Sequence, residues 1–152
     1  MEIERKFLIS KLPDHLEQYP CKEMKQGYLC TSPVVRIRQS NDQFILTLKG
    51  NGLMVREEFE FDLTKDAFLH LCEKIDGILI KKTRYLIPLS TGLTAELDVF
   101  HGELAPLVTV EVEFHSIEEA NSFVAPNWFG KDVTNDGRYH NSYLSKHPIP
   151  QN

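Results

Sequence analysis

The chain has 152 residues, with 17 Lys and Arg against 22 Asp and Glu, for a formal net charge of −5. That length suits one domain, residues 1–152, since compact domains cluster near roughly 100–150 residues. Apolar residues make up 41% and charged residues 26%, a balance that excludes the apolar-poor signature of disorder, while the negative charge disfavours a general nucleic-acid binder, which needs a basic face.

Strand patterns dominate from the start. Glu2 to Ile9 alternates charged and apolar residues, Pro13 to Tyr19 suits a short helix, and Lys22 to Thr31 is a second strand ended by Ser32-Pro33. Val34 to Gln39 and Gln43 to Lys49 flank Ser40-Asn41-Asp42, a hairpin-type turn. Gly50-Asn51-Gly52 makes the next turn, and Leu53 to Asp62 the next strand. Thr64 is placed to N-cap a helix that carries Phe68, Leu71, Cys72 and Ile75 at i, i+3, i+4, i+7. Strands are then expected at Ile78 to Leu89, Leu93 to Phe100 and Leu107 to His115. Ser116-x-x-Glu119 is a capping box ahead of Ala120, Phe123 and Val124. After Pro126 the chain reads as loop until Arg138 to Lys146, a last short helix before Pro148-Ile149-Pro150. The fold class is therefore mainly β (α+β), antiparallel, with a few covering helices.

Side chains two apart in a strand share a face. On that rule one face collects Glu2, Glu4 and Lys6; Arg36 and Arg38; Lys49; Arg56, Glu58 and Glu60; Lys82 and Arg84; Glu96 and Asp98; and Glu111 and Glu113. Taken singly, each strand fits an antiparallel sheet with one wet face. Taken together, seven bases and eight acids on one parity suit a closed sheet with the charged parity inside. Buried charges without partners are prohibitive, so such an interior must be hydrated and must hold a charged ligand. Paired carboxylates are hard oxygen ligands for Mg²⁺ or Mn²⁺, and clustered Arg and Lys suit phosphate oxygens. Both signs together match a polyphosphate bound with its divalent metals.

Other features bound the rest. No apolar run approaches the ~20 residues of a membrane span. The start, MEIERKFLIS, lacks the basic-then-apolar layout of a signal peptide. Cys21, Cys30 and Cys72 show no C-x-x-C spacing and read as free thiols, so a soluble cytoplasmic protein is expected. His15, His70, His101, His115, His140 and His147 show no metal-ligand spacing and read as surface or structural residues.

Glu2-Ile3-Glu4-Arg5-Lys6 resembles the E-x-E-x-K motif of the CYTH superfamily, the triphosphate tunnel metalloenzymes. The likeness continues in order through Gln26-Gly27-Tyr28-Leu29, Arg36-Ile37-Arg38, Thr47-Leu48-Lys49, Arg56-Glu57-Glu58-Phe59-Glu60, Lys82-Thr83-Arg84-Tyr85, Glu96-Leu97-Asp98-Val99-Phe100 and Glu111-Val112-Glu113-Phe114. Trp128-Phe129-Gly130 and Arg138-Tyr139 resemble the C-terminal part of small bacterial members. The resemblance implies a closed antiparallel eight-stranded β-barrel that forms a charged tunnel, with a C-terminal plug helix around Arg138 to Lys146. It implies that Lys6, Arg36, Arg38, Lys49, Arg56, Lys82 and Arg84 bind triphosphate oxygens. Glu2, Glu4, Glu111 and Glu113 would be the foremost metal ligands, and Glu58, Glu60, Glu96 and Asp98 would contribute directly or through water. Lys6, Tyr28 and Lys82 are the implied proton-transfer or leaving-group residues.

The activity this implies is hydrolysis of inorganic tripolyphosphate to pyrophosphate and phosphate, assisted by two Mg²⁺ or Mn²⁺ ions. A class IV-type adenylate cyclase, a thiamine or nucleoside triphosphatase, and a non-catalytic polyphosphate-binding module are the alternatives. The implied partner is a small triphosphate, with no nucleic acid or membrane. The apolar outer parity and exposed strand edges permit a homodimer.

Overall fold

A computed structural model of the chain describes residues 1–51 and 54–147. Its strands are β1 (Glu2–Ile9), β2 (Cys21–Thr31), β3 (Val34–Ser40), β4 (Gln43–Lys49), β5 (Val55–Arg56), β6 (Glu58–Leu63), β7 (Asp76–Pro88), β8 (Thr94–Phe100), β9 (Val108–Glu113) and β10 (Phe129–Asp132). Helices are α1 (Lys65–Cys72), α2 (Ile117–Ser122) and α3 (Asn141–Leu144), with 3-10 turns at Leu16–Gln18, Gly102–Leu104 and Gly137–Tyr139.

All pairings are antiparallel, in the order β10-β1-β9-β8-β7-β2-β3-β4-β6. The circuit returns to its start through β5, which pairs β1 (Glu2↔Arg56, Ile3↔Val55), while β6 pairs β4 (Lys49↔Glu58). Only Glu57 separates these two pieces, and its carbonyl accepts from Gly50 N at 3.0 Å. The expected single strand from Leu53 to Asp62 is thus two strands, bent where the chain changes partners; Gly52 and Leu53 lie outside the described residues. Period-2 alternation reports which face a side chain takes, not which neighbour its backbone pairs with, so the bend leaves no mark in it. Counting β5 and β6 as one and setting aside β10, which flanks β1, leaves the eight expected around the barrel. The β10 segment was expected as loop: it is four residues long, too short for periodicity to register.

Each helix start is where the side chains place it. Thr64 Oγ1 accepts from Ala67 N at 3.1 Å and Ser116 Oγ from Glu119 N at 3.0 Å. Both helices are shorter than expected. Ile75 lies beyond α1, and Phe123 and Val124 lie beyond α2, with Val124 86% exposed. The expected helix from Arg138 to Lys146 is a 3-10 turn and α3, separated by His140 in extended conformation. The tail at Pro148-Ile149-Pro150 lies outside the described residues.

The outward apolar parity of β1, β8 and β9 (Phe7, Ala95, Leu97, Val110, Val112) packs under Ala120, Phe123 and Phe129. Phe68 of α1 covers the far side against Phe44, ring centroids 5.2 Å apart. Each fully buried side chain of this size stabilises by roughly 1.5–3 kcal/mol. A second cluster (Tyr28, Val34, Ile80, Phe100, Leu104) receives Leu144 of α3, so apolar packing seats the C-terminal segment. Gly77 makes this docking possible: its φ is +71°, and a β-carbon there would overlap the Ser145 carbonyl oxygen, which accepts from Ile78 N at 2.8 Å.

Candidate active site in the barrel lumen

The charged parity faces inward. A cavity of about 180 Å³ is lined by Glu2, Glu4 and Lys6 of β1, Arg36 and Arg38 of β3, Lys49 of β4, Arg56 of β5, Glu58 and Glu60 of β6, Arg84 of β7, Glu96 of β8 and Glu111 and Glu113 of β9, together with Tyr28. Those are all the expected site residues except two. Lys82 and Asp98 do not reach the cavity: their Nζ and Oδ2 atoms are 2.7 Å apart, and both side chains are 0% exposed, behind the lining. Strand parity assigns a residue to the inner face but not to a depth, and these two sit behind it, with Lys82 Nζ 5.5 Å from the centre of the Phe100 ring.

Some lining residues were not anticipated. His140, Asn141 and Ser142, from the C-terminal segment, close one side of the cavity, and His140 Nε2 lies 3.1 Å from Thr134 O. Uncharged inward residues add nothing to a pattern of charges. Gln26 and Thr47 are fully buried and hold the Arg pair: Arg38 Nε donates to Gln26 Oε1 at 2.9 Å, and Arg36 to Thr47 Oγ1 at 3.2 Å. Their parity, two from Tyr28 and two from Lys49, was the signal available in the sequence.

The ion pairs are unevenly shared. Lys49 Nζ is 2.8 Å from Glu2 and 3.4 Å from Glu58, and Arg56 lies 3.7 and 3.6 Å from Glu2 and Glu4. Lys6 Nζ is 3.4 Å from Glu111 and donates to the Tyr139 carbonyl at 2.9 Å. Arg84 grips Asp98 with two bonds of 2.8 and 2.9 Å and reaches Glu96 at 3.2 Å. Among the described residues, Arg36 and Arg38 pair with no carboxylate within 4.0 Å, and Arg36 Nε is buried without a hydrogen-bond partner. A buried guanidinium in that state carries an unmet demand for an anion.

Titration behaviour follows the same division. Burial, with Arg36 and Arg84 adding, lowers Arg38 to about 9. Burial, then Glu111 and Glu2, push the Glu4 carboxyl up to about 8. Burial and Glu58 raise Glu2 despite Lys49, and burial with Glu2 and Glu96 raises Glu113. Glu111 is the exception: burial opposes its ionisation, but Lys6, Arg84 and Lys82 hold it well below the usual range. Below the lining, burial also works against Asp98, yet Arg84 and Lys82 outweigh it and hold it at about 2.

The lumen therefore has one wall short of anion and another crowded with carboxylates. In this arrangement no group of three or more His, Cys, Asp or Glu side chains among the described residues converges so as to hold a metal ion, because Glu2 and Glu4 lean on Lys49 and Arg56. The donor chemistry nevertheless fits a hard divalent cation: oxygen ligands only, and a Glu4 carboxyl whose ionisation a nearby cation would restore.

The CYTH domain model matches residues 1–144. The chain is 43% identical over 148 residues to an inorganic triphosphatase of Nitrosomonas europaea, covering 95% of this chain and 96% of that protein. It is 36% identical over 155 residues to an inorganic triphosphatase of Acetivibrio thermocellus, covering 97% and 94%. A solved structure of an inorganic triphosphatase superposes with a TM-score of 0.72 at 40% identity, over 95% of this chain and 94% of that one.

Proposed function

Since the chain belongs to the CYTH domain family, we propose that it is a triphosphatase that splits inorganic tripolyphosphate into pyrophosphate and phosphate with the help of divalent cations, two Mg²⁺ or Mn²⁺ ions. The observation that carries this reading is the Arg36–Arg38 pair, Arg36 buried and Arg38 half-buried, which among the described residues has no carboxylate partner and faces the acids in one cavity. The polar lining of the cavity favours an inorganic substrate. Among the described residues, Tyr28, Val34 and the His140 ring supply its aromatic and aliphatic lining, and every other lining side chain is charged or polar.

Phosphoanhydride cleavage needs spread negative charge neutralised and the attacking and leaving oxygens held in line. Arg36 and Arg38 would take equatorial phosphate oxygens with fork-shaped donors, and Lys6, Lys49, Arg56 and Arg84 would complete the ring. Glu2, Glu4, Glu111 and Glu113 would hold the metal, with Glu58, Glu60 and Glu96 at its margins. When bound, such a cation neutralises phosphate charge and acidifies water. Tyr28, buried and on the lining, would hydrogen-bond the leaving pyrophosphate oxygen, with Lys6 assisting. Lys82 and Asp98 take a different role in this scheme: from behind the lining they fix Arg84, whose guanidinium Asp98 holds with two bonds.

We assign the protein to the cytoplasm, in keeping with its three free cysteines; no helix among the described residues is long and apolar enough to cross a membrane. Its partner in this reading is a small triphosphate, with no nucleic acid or membrane. The outward Phe59 and Phe61 of β6, 60% and 56% exposed, are the surface on which two copies would pair.

Purified protein incubated with tripolyphosphate, ATP or thiamine triphosphate, each with Mg²⁺ or Mn²⁺, tests the activity. Phosphate release from tripolyphosphate in preference to the others is expected. Cyclic AMP from ATP, or tight triphosphate binding without turnover, would refute it.

A further inference from the structure

Gln26 contributes no charge, does not line the cavity, and is 0% exposed. It stands in β2 opposite Arg38 on one side and Ile80 on the other, with its side chain between Arg38 and Tyr28. An arginine has only donors to offer. The Gln26 amide must therefore turn its oxygen to Arg38, which it meets at 2.9 Å, and this leaves its NH₂ to donate to Tyr28 Oη at 3.4 Å. Once Tyr28 Oη accepts that bond, its own hydrogen is free for another partner, and the open side of Tyr28 is the lumen. Arg38, Gln26 and Tyr28 thus form a chain of donors running from a cation to a hydroxyl. Each link polarises the next, and an accepted hydrogen bond favours the phenolate left behind when Tyr28 gives up its proton.

We propose that Gln26 is a positioning residue that fixes the Arg38 guanidinium for phosphate and aims the Tyr28 hydroxyl proton at the leaving oxygen. The proposal rests on the reading of Tyr28 given above. It also assigns a task to a residue of the Gln26-Gly27-Tyr28 segment that neither charge nor cavity lining identifies.

Gln26→Glu is the discriminating variant. A carboxylate still accepts from Arg38, so the guanidinium stays in place, but it has no donor for Tyr28. Tyr28 would then donate to it, turning its proton away from the lumen. Steady-state kinetics with tripolyphosphate and Mg²⁺ on Gln26→Glu, Tyr28→Phe and the double variant separate the possibilities, with melting curves as a check on folding. A well-placed proton donor contributes on the order of 100-fold or more to rate. Gln26→Glu is expected to lower kcat by a factor like that of Tyr28→Phe; its carboxylate also meets the demand of Arg38 for an anion, so KM rises as well and the comparison with Tyr28→Phe is read in kcat. The double variant should be no slower than Tyr28→Phe alone. Gln26→Met, which bears no charge and also leaves Arg38 unheld, should lower kcat and raise KM together. If Tyr28→Phe is slow while Gln26→Glu turns over normally, or if the two losses multiply in the double variant, the role of Gln26 is overturned and that of Tyr28 stands. If Tyr28→Phe itself turns over normally, the reading of Tyr28 fails, and the relay with it.

Discussion

Changing Glu4 to Gln should make the metal-free protein more stable in alkali while abolishing its turnover. Burial, Glu111 and Glu2 hold the folded Glu4 carboxyl at about 8, against an ordinary value of 4.5. An acid whose pKa is raised on folding binds its proton more tightly in the folded state. Stability is therefore intact below the unfolded value and falls as pH climbs from about 4.5 through about 8. At about 1.36 kcal/mol per pKa unit the loss has a ceiling of roughly 5 kcal/mol above that range, and water in the lumen reduces it to about 1–3 kcal/mol. Glutamine reproduces the protonated carboxyl, donor included, and does not ionise. Urea unfolding in EDTA should accordingly show the two proteins alike near pH 5 and Glu4→Gln ahead at pH 9. Mg²⁺ should stabilise the wild type at pH 9 and the variant far less, because only the wild type has the charge to be relieved. A variant less stable than wild type at pH 9, or one that keeps full metal-dependent turnover, would show that Glu4 is not the strained carboxylate of the lumen.

Other perturbations probe separate parts of the site. Arg36→Met and Arg38→Met each remove charge-assisted bonds worth about 1.5–3 kcal/mol, so kcat/KM for tripolyphosphate should fall by roughly 10–100-fold in kinetic assays while the proteins melt near wild type. Asp98→Ala leaves Lys82 and Arg84 without their buried partner, and chemical denaturation should register a loss of about 3–5 kcal/mol. Gly77→Ala forces a left-handed position and displaces the Ser145 carbonyl, so hydrogen exchange across Gly137 to Leu144 should quicken while the strands stay protected.

The strands and their inner face were legible in the sequence because strict alternation fixes which side chains share a face. Glu2, Glu4 and Lys6 on one parity, and Glu111 and Glu113 on another, could be assigned to the lumen for that reason alone. Depth was not legible: Lys82 and Arg84 are two apart on one face, yet Arg84 lines the cavity and Lys82 lies sealed beneath it against Asp98. The bend at Glu57 was hidden because it changes backbone partners without changing which way Arg56 and Glu58 point. Neutral polar residues were the other blind spot. Gln26 and Thr47 stand in segments that carry the family resemblance but had no role of their own, and only their hydrogen bonds to Arg38 and Arg36 reveal what they hold. His140 was read as a surface or structural residue because no spacing rule links it to residues more than a hundred positions earlier; the chain end brings it to the lumen through Leu144 and Gly77.

The division of the lumen into an anion-seeking wall and a cation-seeking wall is tested most directly by a crystal structure of the protein with tripolyphosphate and Mn²⁺, the metal located by its anomalous scattering. The account predicts phosphate oxygens on the guanidinium groups of Arg36 and Arg38, with manganese between the same phosphates and carboxylates drawn from Glu2, Glu4, Glu111 and Glu113. An anion bound outside the barrel, or manganese coordinated by none of those four residues, would contradict it.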